Sequence, residues 1–128
     1  MPWTTTFLGE LRVVESVYIE PLGAEELMAA AKEAIEVARR AGTTLFLGDC
    51  TGLGPSGSVL DIYQLGRFLE TVFMGQVGRE AILLPASPDA AENLKFYETV
   101  MRNRGLEVRL FRDRDTALRW LAELKDAA

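Results

Sequence analysis

Histidine is absent from this chain, and cysteine occurs once. The first absence removes Ser-His-Asp and Cys-His catalysis, imidazole metal sites and histidine phosphotransfer in one step. The second excludes an internal disulfide, as suits a reducing cytoplasm. Long apolar runs are missing as well: none approaches the ~20 residues that span a bilayer. The amino-terminal stretch MPWTTTFLGELRVV has neither the basic start nor the continuous apolar segment of a signal peptide. The expected location is therefore the cytoplasm, with no membrane span. Positive charge is in deficit too. Asp and Glu number 19 against 14 Lys and Arg, a net charge of −5, which argues against nucleic acid as a partner. Arg102, Arg104 and Arg109 are interspersed with Glu98 and Glu107 and form a solvated surface.

What is present is an ordinary globular composition. With 48% hydrophobic residues in 128, the chain can bury a real core as a single domain, 1–128, without metal, cofactor or disulfide. The organising stretch runs from Thr43 to Phe73. Leu45, Phe46 and Leu47 have the length and composition of a buried strand, closed by Asp49. A loop from Cys50 to Gly57 follows, with three glycines and Pro55 to bend the backbone. Ser58 stands where a helix should begin, with Asp61 three residues on, as in a capping box. In open α/β sheets the crevice beyond the carboxyl ends of strands is the usual working site, which directs attention to this loop.

The remaining elements follow from local signals. Thr5 to Val14 predicts a strand with a bend at Gly9-Glu10, Glu15-Ser16 a tight turn, and Val17 to Ile19 a second strand paired antiparallel with the first. Gly23 opens a helix with Glu25 and Glu26 in its first turn, Arg39 and Arg40 in its last, and Gly42 as the stop. Its expected inward stripe is Leu27, Ala31, Ile35 and Ala38. Strands are predicted near 5–14, 17–20, 43–49, 80–85 and 106–111. Ser87-Pro88 starts a third helix bearing Leu94, Tyr97 and Met101, and Asp113 or Asp115 caps a fourth with Ala117, Trp120, Leu121 and Leu124 inside. Tyr97 and Trp120 are expected in the core. The order β-β-α-β-α-β-α-β-α implies an α/β fold: a mixed, mostly parallel five-stranded sheet with four helices.

That order, the turn DCTG at 49–52 after a buried strand, and the stretch VRLFRDRDTALRWLAEL at 108–124 look like the STAS fold. The resemblance is nearest to the SpoIIAA-like proteins, often described as STAS/SEC14 domains. It implies a small cytoplasmic regulatory module, in some cases an anti-sigma factor antagonist switched by serine phosphorylation. Such antagonists carry an Asp-Ser-Ser-Gly type motif where the loop meets the second helix. Here the matching region reads Gly54-Pro55-Ser56-Gly57-Ser58, with no aspartate immediately before a serine. The resemblance points to Ser58 first and Ser56 second as modification or binding residues.

Each candidate has two readings. Ser58 is an N-cap or a phosphosite; Asp49 binds a ligand or holds its own loop's N–H groups. Cys50 is a packed thiol or a reactive one. The GLGPSG loop lacks the lysine of a Walker A motif and the glycine spacing of a dinucleotide fingerprint. In the second helix Val59, Ile62, Leu65, Leu69, Val72 and Phe73 form an inward arc. Leu60 faces away from that arc, and Tyr63 and Phe68 lie at its borders, an apolar surplus that suits a partner surface. The leading expectation is a non-catalytic protein-interaction or regulatory module, with a protein partner or a homodimer. The alternative is a small apolar-ligand or lipid-binding protein. Catalysis would have to use Asp49, a glutamate or Cys50, and no sequence pattern positions them.

Overall fold

The computed structural model describes residues 3–19, 23–53, 59–73 and 78–127; of residues 24, 59–63, 72–73 and 124–127 it describes the backbone alone. The expected sites Ser56 and Ser58 lie outside the described residues, as do the side chains of Leu60 and Tyr63. Five strands form one sheet in chain order: β1 (Trp3–Leu8), β2 (Val13–Tyr18), β3 (Leu45–Asp49), β4 (Arg79–Leu83) and β5 (Glu107–Phe111). β1 runs antiparallel to β2, and β2 to β5 are mutually parallel. The helices are α1 (Ala24–Ala41), α2 (Val59–Phe73), α3 (Pro88–Asn103) and α4 (Arg114–Ala127).

Because every parallel neighbour is also the next strand in sequence, each crossover steps the same way along the sheet. Crossovers of one hand then place their helices on one face. α1 packs on Trp3, Val14 and Tyr18, and α3 packs on Ile82 and Val108, all on that face. α4 follows the last strand and covers the opposite face, where Ala117, Trp120 and Leu121 meet Val13, Leu45, Leu47, Ala81 and Leu83. The sheet is therefore covered on both sides, which explains why its central strands are apolar runs.

Local signals set the boundaries. The N–H of Gly23 donates to Glu26 Oε1 at 3.2 Å, and Gly42 ends α1 at φ 71°, a left-handed stop that glycine adopts without strain. Ser87 Oγ caps α3 by accepting from the Ala90 N–H at 3.4 Å. Of the two candidates for the α4 cap it is Asp113, whose carboxylate accepts from the Thr116 N–H at 2.8 Å and from its hydroxyl at 2.7 Å.

The first hairpin corrects the sequence reading. The expected strand 5–14 ends at Leu8, the chain turns over Gly9 to Arg12, and Glu15-Ser16 lies inside β2 rather than in a turn. Arg12 takes the unusual φ of 55°, held by its guanidinium on the Ala41 carbonyl at 2.6 Å and by Thr43 Oγ1 on its own carbonyl at 2.6 Å. Glu15 tolerates a strand position because it pairs with Arg114 on the α4 face. Two polar dipeptides competed for one turn, and tertiary partners decided between them.

Candidate functional site

Between the sheet and α1, α2 and α3 lies a cavity of about 350 Å³. Its floor comes from two neighbouring rows of the sheet in register: Phe46, Glu80 and Val108 from one, Ser16 and Gly48 from the next. Leu27, Ala31, Ala34 and Ile35 of α1 line it on one side, Leu65 and Leu69 of α2 and Tyr97 and Met101 of α3 on the other. Thr44, Gly78, Gly105 and Leu106 border it at the amino ends of β3, β4 and β5.

The space has an identifiable origin in side-chain size. α2 is drawn onto α3 at Gly66, where a Cβ would come within 2.6 Å of Met101 Cε and 3.0 Å of Val100 Cγ1. Glycine there permits close helix approach, so α2 leans toward α3 and touches α1 little. α1 lines the gap with two alanines, Ala31 and Ala34, between Leu27 and Ile35. Gly48 supplies no side chain from the floor, although a Cβ there would sit at ordinary contact distances: 3.8 Å from Ile82 Cγ1, and 3.9 Å from both Glu80 Oε2 and Tyr18 Cε2. Unlike Gly66, Gly48 is not demanded by packing; its effect is to leave room.

Of the charged residues that line this mostly apolar space, Arg79 and Glu107 pair with each other at 2.6 Å, which leaves Glu80. Glu80 sits in the interior of β4, between Phe46 and Val108, and lines the cavity. The Tyr97 hydroxyl donates to its Oε1 at 2.6 Å. Among the described residues its carboxyl has no other hydrogen bond and no ion pair. Burial raises the Glu80 carboxyl above its ordinary range, and the Tyr97 bond pulls only part of the way back. Burial likewise pushes up the phenols of Tyr97 and Tyr18 and the thiol of Cys50, with the Glu80 charge adding to each. Glu80, Tyr97 and Tyr18 form a polar corner in a mostly apolar room, with the Cys50 thiol packed in the core beside Tyr97.

The sequence-derived candidates lie elsewhere. Asp49 Oδ1 accepts from the Thr51 N–H at 3.0 Å and the Thr51 hydroxyl at 2.6 Å, an Asx turn that roots the following loop. Cys50 is buried beside Ile82 and Tyr97. Phe68 is half-buried with the Lys32 ammonium 5.8 Å from its ring centre. Neither Asp49 nor Phe68 lines the cavity. Glu80 escaped notice because it precedes the apolar run Ala81–Leu84 and resembles a polar flank. The available signal was parity: Glu80 shares a face with Ile82, two residues on, and both faces of a central parallel strand are covered.

No family model matches the chain, and no curated protein does. Among solved structures it is similar to an uncharacterized protein of the DUF3478 family with a SpoIIAA-like fold, from Shewanella loihica PV-4. The identity is 22%, over 93% of this chain and 91% of that one, with a TM-score of 0.56. This chain has a SpoIIAA-like fold. The resemblance carried by DCTG at 49–52 and by 108–124 thus holds at the level of fold, down to the five-stranded mixed sheet and four helices. Among the described residues no helix is long and apolar enough to cross a membrane, and no cluster of His, Cys, Asp or Glu is placed to hold a metal ion.

Proposed function

We propose that this SpoIIAA-like chain is a non-catalytic binding module that takes a small, mostly apolar molecule into the cavity beneath α1, α2 and α3. The cavity carries the reading. Its volume of about 350 Å³ falls at the small end of ordinary ligand pockets, and its walls are chiefly aliphatic and aromatic with one convergent polar corner. A compact molecule suits it better than a long-chain lipid. The non-catalytic reading is supported by the chemistry of the corner: burial holds the thiol and both phenols protonated, so none is an activated nucleophile.

Native mass spectrometry of the protein purified from its own cells tests the reading, with an Ala31→Phe variant beside it. Ala31 lines the cavity on the α1 side, so a benzyl group there fills the space without removing a core side chain. A small molecule retained by wild type and lost from the variant is expected. Equal retention by both would place the ligand outside the cavity and reject the reading.

A protein-interaction role is the second reading, with Asp49, Ser56 and Ser58 on the loop and Leu60, Tyr63 and Phe68 on the following helix as its surface. One observation favours it. A Cβ at Gly52 would stand 3.1 Å from the Tyr18 carbonyl oxygen, so the root of the loop lies against the strand whose Tyr18 lines the cavity. Cavity occupancy and loop conformation are thereby neighbours, and a partner at the loop can respond to the ligand. Amide hydrogen exchange over 50–58, with and without ligand, tests this. Ligand-dependent protection supports the coupling; unchanged rates remove it.

A further inference from the structure

We infer that the molecule taken into the cavity is a compact organic amine, its ammonium group bound at Glu80 and its apolar body lying over Gly48 toward α1. The inference rests on the cavity reading above and adds the chemical class of the occupant.

The argument begins with the cost of Glu80. A carboxylate removed from water is tolerated when it is paired and hydrogen-bonded, and strongly disfavoured otherwise. Glu80 has the hydrogen bond, from Tyr97, but no cation among the described residues. Arg79, Arg104 and Lys32 are engaged elsewhere. Arg79 is adjacent in the chain, yet its guanidinium lies on the α4 face, bound to Glu107 at 2.6 Å and Glu123 at 3.2 Å and stacked 4.7 Å from Trp120. Arg104 holds Glu70 at 2.6 Å, and Lys32 stands over Phe68. The protein thus places a half-buried carboxyl in a mostly apolar cavity and, among the described residues, pairs it with no cation, while leaving beside it enough room for a ligand to bring one.

The surroundings select among possible heads. The Glu80 carboxyl turns Oε1 to Tyr97 and leaves Oε2 on the Gly48 side, 3.9 Å from the point a Cβ would occupy there. An ammonium group donates to that oxygen with charge assistance, the stronger kind of hydrogen bond. Tyr18, Phe46 and Tyr97 add aromatic surface around it, which attracts cations and is indifferent or hostile to anions. A carboxylate or phosphate head would meet Glu80 as a like charge. A neutral alcohol can bond Oε2 but gives the carboxylate no counter-ion.

Three probes that share a phenethyl body separate the head from the cavity: phenethylamine, phenethyl alcohol and hydrocinnamate, each titrated calorimetrically into wild type, Glu80→Gln, Tyr97→Phe and Ala31→Phe. The amine is expected to bind wild type at least about tenfold more tightly than the alcohol, with the acid weakest. Glu80→Gln should erase the preference for amine over alcohol while keeping alcohol binding, because the amide preserves shape and still accepts from Tyr97. Tyr97→Phe should keep the preference, which makes it the second reading of the same question if Glu80→Gln fails to fold. If amine and alcohol bind wild type equally and Ala31→Phe abolishes both, the cavity reading stands and the amine inference is overturned. If the amine does not bind, or if its binding survives Ala31→Phe, the inference fails; in the latter case the cavity reading fails with it.

Discussion

The two faces of this sheet use the same strands and the same registers to opposite ends. On the α4 face, Val13, Leu45, Leu47, Ala81 and Leu83 meet Ala117, Trp120 and Leu121 in a filled core. Its charged groups are drawn to the margin and paired: Arg79 with Glu107 and Glu123, Glu15 with Arg114. On the opposite face the same strands present Gly48, Ser16 and Glu80, and α1 sets Ala31 and Ala34 between Leu27 and Ile35. One face spends its volume on packing and the other leaves it open around a lone carboxyl. The contrast teaches that the cavity is not a general looseness of the fold. It is specified residue by residue on one side of a well-packed sheet.

Substitutions on the filled face should carry the largest effects. Leu121 is fully buried, and Leu121→Ala is expected to cost ~2–5 kcal/mol through lost transfer energy and a new void. Leu69→Ala, half-buried at the edge of existing space, should cost well under that, and urea melts of the two variants compare the faces directly. Next is Arg79→Ala, which removes two ion pairs, a bond to the Trp120 carbonyl at 2.7 Å and a stacking contact. A loss of ~1–3 kcal/mol is expected, chiefly from the Trp120 carbonyl left without its donor and the lost stacking, since Glu107 and Glu123 are exposed.

Glu80→Gln sharpens the comparison through pH rather than through a large change at one pH. Burial raises the folded carboxyl, so the native state holds its proton more tightly than the unfolded chain. Stability contributed this way is present below the unfolded value of ~4.3 and is lost as pH rises toward the folded value. The groups facing Glu80 are Tyr18, Tyr97 and Cys50, all pushed upward, so they remain protonated over that range. Wild type should lose stability along this rise relative to Glu80→Gln, measured by denaturant midpoints across a pH series. Asp113, at the exposed start of α4, works in the opposite sense: its Thr116 bonds lower its carboxyl, and its contribution is lost in acid. A variant difference that grows as pH falls would contradict the assignment to Glu80.

The smallest effect belongs to Gly48→Ala. A methyl group fits at contact distances, and replacing glycine within a strand should stabilise by ~0.5–1 kcal/mol. The same methyl enters the cavity beside Glu80 Oε2, so ligand affinity should drop while the melting temperature rises. Opposite movement of stability and binding is what distinguishes a binding cavity from a packing defect.

Much of this architecture was legible locally. The acidic first turn, basic last turn and glycine stop of α1 are complete within its own sequence, and so is the Ser87-Pro88 start of α3. Those signals act over a few residues and do not depend on the rest of the fold. The first hairpin was misplaced because Gly9-Glu10 and Glu15-Ser16 both suit a turn, and the choice is made by Ala41, Thr43 and Arg114, distant in the chain. The cavity was illegible for a related reason. Empty volume belongs to no residue; it arises where Gly66 pulls α2 toward α3 and where alanines and Gly48 decline to fill the gap. Gly66 and Gly48 look alike in sequence, yet one brings helices together and the other keeps a floor clear.

The claim that one face is open and the other closed can be put to a single measurement. Methyl-resolved NMR of the protein titrated with benzene, a probe that enters dry apolar cavities, reports on both faces at once. The account expects shifts at Ala31, Ala34, Leu65, Leu69 and Met101, with Leu45, Ala117 and Leu121 across the sheet left in place. Equal shifts on both faces, or movement confined to the α4 side, would contradict it.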